Sequence, residues 1–215
     1  MSSPQFTLEH GEFLVRTARK AVEEYLSKGV KIEVPPETPE ILKKKYGVFV
    51  TIETLIEGGR KELRGCIGYP LPIKPLIEAT IDVAIAAAVE DPRFPPMKYE
   101  ELEKVVFEVS ILTPPQEIKF KNPKELLNQI VIGQDGLIVE RGFAKGLLLP
   151  QVPVEYGWDV LTFLSEACMK AGLQPDAWAI EGTKIYKFQA VIFAEETPKG
   201  RVVKRDLMEE LKGKE

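Results

Sequence analysis

Tyr46-Gly47-Val48-Phe49-Val50-Thr51-Ile52-Glu53-Thr54-Leu55, Glu57-Gly58-Gly59, and Lys61-Glu62-Leu63-Arg64-Gly65-Cys66-Ile67 read as strand, turn and strand. The flanks are rich in β-branched residues and the glycine pair permits a sharp reversal, so the segment predicts a β-hairpin. Its second strand carries Leu63-Arg64-Gly65-Cys66-Ile67-Gly68. Strand side chains alternate between faces, which places Arg64 and Cys66 on one face, roughly 6–7 Å apart along the chain. A cation at that distance favours thiolate over thiol. The flanking glycines leave room for another backbone or a ligand. This hexapeptide is therefore a candidate site, with no reaction specified.

Working outward, Thr7 can cap a helix running to Lys28, with Gly29 at the position of a C-terminal glycine. Leu14, Ala18, Ala21, Val22 and Tyr25 recur at helical spacing and should face the core. Val34-Pro35-Pro36-Glu37-Thr38-Pro39 reads as a linker. Lys74–Glu90 is an Ala- and Ile-rich helix closed by Asp91-Pro92, and Val105–Leu112 is a strand. Pro123 opens a short helix to Ile130. Gly136–Arg141 and Ala144–Leu149 form a second hairpin around Gly142. Gly157–Ala171 is expected to be a helix and Ile185–Phe193 one long final strand. Pro198–Glu215 is a weak helix or tail. Hairpins interspersed with helices give an α+β fold, a largely antiparallel sheet flanked by helices.

The chain has 215 residues, 44% of them hydrophobic, enough for one domain with a sizeable core. A net charge of −4 argues against nucleic acid as a partner. Charged residues make up 29% of the chain while Asn occurs only at 122 and 128, a composition pointing to a thermophilic source. No secretory signal is read at Met1–Leu8, and the apolar stretch Ile81–Val89 is interrupted by Asp82 and too short to span a bilayer. The expectation is a cytoplasmic protein that does not enter the membrane. The cysteines, Cys66 and Cys168, make no disulfide framework.

The hexapeptide resembles the signature of the AMMECR family, named for the Alport syndrome, mental retardation, midface hypoplasia and elliptocytosis chromosomal region. Six further segments are similar to that family: Gly47–Glu53, Asp91-Pro92-Arg93-Phe94-Pro95-Pro96, Glu108-Val109-Ser110, Gly146–Val152, Tyr156-Gly157-Trp158-Asp159 and Lys170-Ala171-Gly172-Leu173. Tyr69 departs from it, standing where many relatives are expected to carry Thr. The resemblance implies an AMMECR-like domain over residues 7–195, with a smaller second subdomain, followed by a polar helix or tail over 196–215. It brings no settled activity. It does imply partners, since similar domains occur fused to a Memo-type dioxygenase-like domain and encoded beside radical SAM proteins. Either would have to act on this chain in trans.

Cys66 is the candidate nucleophile or redox group, against the plainer reading of a small buried residue. Arg64 is a candidate for anion binding through its planar fork, or it pairs with a carboxylate such as Asp91 or Glu108 and fixes the fold. Asp91 and Arg93 stand on a proline-stiffened loop, either holding local backbone groups or lining a cleft with the signature. Gln151 and Glu155 are polar groups in a connection and are candidates for ligand contact. Cys168 shares a helix face with Leu161, Leu164 and Ala171 and is read as core. The phosphate-loop, dinucleotide and zinc patterns are absent, and His10 is the only histidine, so no cofactor or metal is expected. The leading reading is a module that binds a small molecule or protein partner in a polar cleft around Arg64, Cys66, Asp91 and Arg93. One rival is an enzyme using Cys66. Another is RNA binding through Lys43-Lys44-Lys45 and the group Lys199, Arg201, Lys204, Arg205, clusters more commonly explained as solvated surface.

Overall fold

The predicted hairpin forms, but its turn is a short 3-10 segment over Glu57–Gly59 with φ of 82° at Gly58 and 76° at Gly59, angles that favour glycine. The structure is a computed structural model describing residues 5–214. In chain order its elements are α1 (Leu8–Lys28), β1 (Gly47–Leu55), β2 (Lys61–Tyr69), α2 (Leu76–Val89), β3 (Val105–Leu112) and β4 (Gln116–Glu117). Next come α3 (Pro123–Asn128), β5 (Gly136–Arg141), β6 (Ala144–Leu148), α4 (Gln151–Tyr156) and α5 (Val160–Lys170). The chain ends with β7 (Lys184–Phe188), β8 (Ala190–Glu195), β9 (Val202–Lys204) and α6 (Leu207–Lys212). The fold is α+β. No helix among the described residues is long and apolar enough to cross a membrane.

Two compact units result. The first holds the chain up to Leu112 together with Val191–Arg205. Its sheet has the order β2-β1-β3-β8-β9 among the described residues. Val48, Val50 and Ile52 of β1, with Phe107, Val109 and Ile111 of β3, supply one face and pack into a core with α1 and α2. Helix α1 starts at Thr7, whose hydroxyl accepts from the His10 N–H while the His10 ring accepts from the Thr7 N–H. Ten of the residues of α2 are buried, so this helix is wrapped rather than amphipathic.

Inside this unit Arg19 and Glu195 form a buried ion pair, which the partly exposed Arg16 joins through Nη1 at 3.2 Å from Glu195 Oε1. Arg19 Nε donates to Glu195 Oε1 at 2.8 Å and Nη2 to Oε2 at 2.6 Å. The remaining Arg19 donors reach the Leu102 and Val105 carbonyls at 3.0 and 2.7 Å, and Glu195 also accepts from the Phe107 N–H at 3.0 Å.

The second unit holds Thr113–Ala190 and the chain from Asp206 onward. Its sheet has the order β4-β7-β5-β6 among the described residues. Helix α5 buries Phe163, Leu164, Ala167 and Cys168 against it. Cys168 is wholly buried, as expected, but the buried face runs through Phe163, Leu164 and Ala167, and Leu161, read as part of it, is 48% exposed.

Three expectations need correction. Ile185–Phe193 is not one strand: β7 and β8 belong to different sheets, and Gln189 between them exchanges two bonds with Thr113 (Thr113 N–H to the Gln189 carbonyl, 2.9 Å; Gln189 N–H to Thr113 Oγ1, 2.8 Å). Both halves are extended and apolar, so a change of sheet leaves no mark on the periodicity. The helix expected over Gly157–Ala171 starts later, at Val160, because Asp159 caps it. Gly157, at φ 67°, instead ends α4, which occupies what was read as a connection. Residues 196–215 contain strand β9 as well as helix α6. A three-residue strand is too short to show an alternation of its own.

Candidate functional site

Strand β2 is an edge strand, so alternate backbone groups along it point away from β1. The outward N–H of Cys66 donates to Asp91 Oδ2 at 2.9 Å. Asp91 follows the end of α2, and it reaches Cys66 because the end of α2 lies against β2 at Gly65. A Cβ on Gly65 would sit 1.9 Å from the Ala87 carbonyl oxygen, so only glycine permits this approach. The expectation that the signature glycines admit another backbone is met here by α2.

Asp91 is also bonded to Arg93. The Arg93 N–H and Nε donate to Oδ1 at 3.1 and 3.0 Å, and Nη2 donates to Oδ2 at 2.7 Å. Burial alone would raise the carboxyl. The Arg93 guanidinium and the N–H groups of Cys66 and Arg93 outweigh it and hold Asp91 at about 2. The side chain of Asp91 is 2% exposed and that of Arg93 is 42% exposed. The pair is thus anchored at the carboxylate, and the Arg93 side chain, whose Nη1 takes no part in it, is open to solvent.

Arg64 joins the same loop differently. The β1–β2 register shifts between Ile52 and Glu53, so that Ile52 faces Gly65 and Glu53 faces Leu63. Arg64 is the extra residue of this bulge, which breaks the simple alternation that would pair it with Cys66. Its Nε and Nη2 donate to Glu101 at 2.7 and 3.2 Å, and Nη2 reaches the Pro95 carbonyl at 2.9 Å. Its carboxylate partner is therefore Glu101, rather than Asp91 or Glu108. Asp91 is engaged by Arg93, and Glu108 accepts from Arg205 Nη1 at 2.8 Å. Burial works to raise the Glu101 carboxyl, and Arg64 with the Lys98 N–H brings it below the usual range. Arg64 Nη1 is buried and lacks a hydrogen-bond partner among the described residues. The guanidinium carbons of Arg64 and Arg93 lie 5.9 and 5.6 Å from the centre of the Phe94 ring.

The Cys66 thiol is 3.2 Å from Thr51 Oγ1. Burial pushes it up to about 11; Thr51 and Arg93 pull it down, while Glu108 and Asp91 oppose them. The cation that bears on this thiol is Arg93, which sequence spacing did not indicate. At neutral pH the thiol is protonated. Thr51 faces Cys66 on one side and Glu108 on the other, so the sheet face away from α1 and α2 carries a polar row of Cys66, Thr51 and Glu108, with Ser110 beside it. Thr51, Glu108 and Ser110 are buried. Sequence reasoning missed Thr51 as a member of this row and Arg205 as the partner of Glu108. The alternation of β1 marks Thr51 as off the main core face, but only the strand register reveals its neighbours.

Gln151 and Glu155 belong to the second unit. Gln151 opens α4 and is 3% exposed, and Glu155 is exposed on the same helix. His10 serves the cap of α1. No group of three or more His, Cys, Asp or Glu side chains suited to a metal occurs among the described residues.

The AMMECR1 family model matches residues 15–193. A protein of Thermofilum pendens is 58% identical over 208 residues, covering 94% of this chain and 98% of its own. Protein MJ0810 of Methanocaldococcus jannaschii is 56% identical over 202 residues, covering 94% and 98%. The crystal structure of the uncharacterized protein PH0010 from Pyrococcus horikoshii superposes with a TM-score of 0.88 at 56% identity, covering 92% of this chain and 97% of that one. These relatives come from thermophilic archaea, the kind of source to which the composition points.

Proposed function

The chain belongs to the AMMECR1 family, and on that premise we propose that it is a binding module for an anionic ligand or partner segment, with Arg93 as the recognition group. The observation that carries this reading is the asymmetry of the Asp91–Arg93 pair. A buried carboxylate with donors on both oxygens fixes the guanidinium, and the exposed part of that guanidinium remains accessible to a ligand. A guanidinium fork held in place in this way suits a carboxylate or phosphate, because little side-chain freedom is lost on binding. Arg64 places a second guanidinium beside Phe94, balanced by Glu101 and tied to the same loop through the Pro95 carbonyl. Cys66 lies beneath as a protonated thiol, and its role in this reading is to present a backbone N–H to Asp91.

Gln151, 3% exposed, and Glu155 lie in the second unit and take no part in this reading. The partner itself fits a protein acting in trans, of the Memo or radical SAM type that the resemblance implies. A small probe tests the reading. Succinate or inorganic phosphate, added to the full chain, should raise the thermal midpoint in a concentration-dependent way, because a ligand that binds only the folded state stabilises it. Arg93→Ala should abolish that rise and Arg93→Lys should restore only part of it. An undiminished rise in Arg93→Ala would remove Arg93 from the site.

A further inference from the structure

The outer edge of β2 is treated in two ways over a short distance. At Cys66 the outward N–H is occupied by Asp91 Oδ2, a carboxylate oxygen standing where the carbonyl of a neighbouring strand would stand. Gly68 lies two residues on and faces Phe49 as Cys66 faces Thr51. Backbone groups of alternate residues in an antiparallel pair point the same way, so the Gly68 N–H and C=O also face outward, about 7 Å along the strand. Gly68 forms no backbone bond across this edge among the described residues. A side chain there is excluded, since a Cβ would lie 2.3 Å from the Phe49 ring, so half-buried Gly68 has no side chain of its own over the backbone edge. Just beyond β2, Leu71 and Ile73 are among the exposed apolar residues, 48% and 57% accessible. On the other side of Gly68, Arg93 shares Asp91 Oδ2 with the Cys66 N–H.

We propose that this edge receives an extended peptide segment of a partner protein that carries an Asp or Glu side chain. The segment adds to β2 as an outer strand through the Gly68 N–H and C=O. Its carboxylate meets the exposed part of the Arg93 guanidinium, and its apolar residues cover Leu71 and Ile73. Backbone pairing of this kind supplies affinity, and the side-chain contacts supply selectivity. Charge complementarity sets the chemistry of the occupant: Arg93 is exposed beside Phe94 at this edge, its carboxylate Asp91 is buried and already committed, and Arg64 is held by Glu101. The inference rests on the reading of Arg93 as the anion-recognition group and adds the class of partner to it.

The test is selection of a phage-displayed random octapeptide library on the immobilised full chain, followed by amide hydrogen exchange with the enriched peptides. Enriched sequences should share an Asp or Glu at one position and exclude proline from alternate positions. Bound peptide should slow exchange of the Gly68 amide by about tenfold or more, as formation of a strand hydrogen bond requires. N-methylation of the peptide amide that faces Gly68 should weaken binding about tenfold, and Arg93→Ala should do the same by removing a charge-assisted contact. An empty selection, unchanged Gly68 exchange or tolerance of the N-methyl group would overturn strand addition. If succinate binding still depends on Arg93 in that event, the anion reading stands without it. If Arg93→Ala alters neither peptide nor succinate binding, both fall. Protection of Gly68 by protein concentration alone, with dimers in sedimentation, would assign the edge to a second copy of the chain and overturn the proposal.

Discussion

Arg19–Glu195 and Arg93–Asp91 are built from the same chemistry and differ in what surrounds them. In each, Nε and Nη2 of the arginine grip both oxygens of a carboxylate. Arg19 is 5% exposed and Glu195 is fully buried, and every other Arg19 donor found among the described bonds ends on a backbone carbonyl. Arg93 is 42% exposed. A buried pair ties α1 to the strands it packs on and has nothing to offer a ligand. A half-open pair leaves donors facing solvent while the carboxylate beneath keeps the head in one orientation. The difference arises from place: Glu195 ends β8 within the sheet, and Asp91 lies on the loop after α2, where it caps the outer edge of β2.

The largest expected break in this comparison is Arg19→Met. It leaves the buried Glu195 carboxylate with only the partly exposed Arg16 and the Phe107 N–H and should cost about 3 kcal/mol in urea unfolding, whereas Arg93→Met should cost about 1 kcal/mol because water replaces part of what is lost. Equal losses would mean the two pairs are alike after all. Gly65→Ala comes next. Its methyl group meets the Ala87 carbonyl, so a loss of about 1–3 kcal/mol is expected, together with faster exchange of the Cys66 amide as Asp91 is pushed away. A neutral Gly65→Ala would show that the approach of α2 to β2 is not what delivers Asp91.

A pH titration sharpens the comparison further. Asp91 titrates at about 2 in the folded chain, against about 3.9 in an unfolded one. Its stabilising contribution is present above the unfolded value and is lost as pH falls from about 4 towards 2. Asp91→Asn should flatten that part of the stability profile, and Arg93→Ala should flatten it less, because the Cys66 N–H still favours the carboxylate. The smallest effect concerns Cys66. With its thiol pushed up to about 11, iodoacetamide at neutral pH should label it only on unfolding, and Arg64→Ala should leave that rate unchanged. Fast native labelling would return Cys66 to the list of nucleophiles.

How much of this was legible depends on the distance over which each feature is set. The Arg93 N–H to Asp91 bond spans two residues, so a proline-stiffened Asp-Pro-Arg loop announces it. The Thr7 cap, the α2 helix and the Gly58–Gly59 turn are local in the same sense. The partner of Arg64 is not, because Glu101 lies 37 residues along the chain and a bulge redirects the side chain. The Cys66 thiol illustrates the same limit. Its neighbour Thr51 is 15 residues away, and its burial depends on the whole sheet face.

By itself, the sequence determined the α+β class, the hairpin that carries the signature, the helix faces and the family. The first three follow from residue type and short-range periodicity, and the family from the resemblance carried by the signature and the ordered segments around it. Tertiary structure alone decided that Ile185–Phe193 divides between two sheets, that Arg93 rather than Arg64 acts on Cys66, and that this thiol stays protonated. Strand order, register and desolvation are set by segments remote in the chain, and a side chain's charge state follows from what those segments bring beside it.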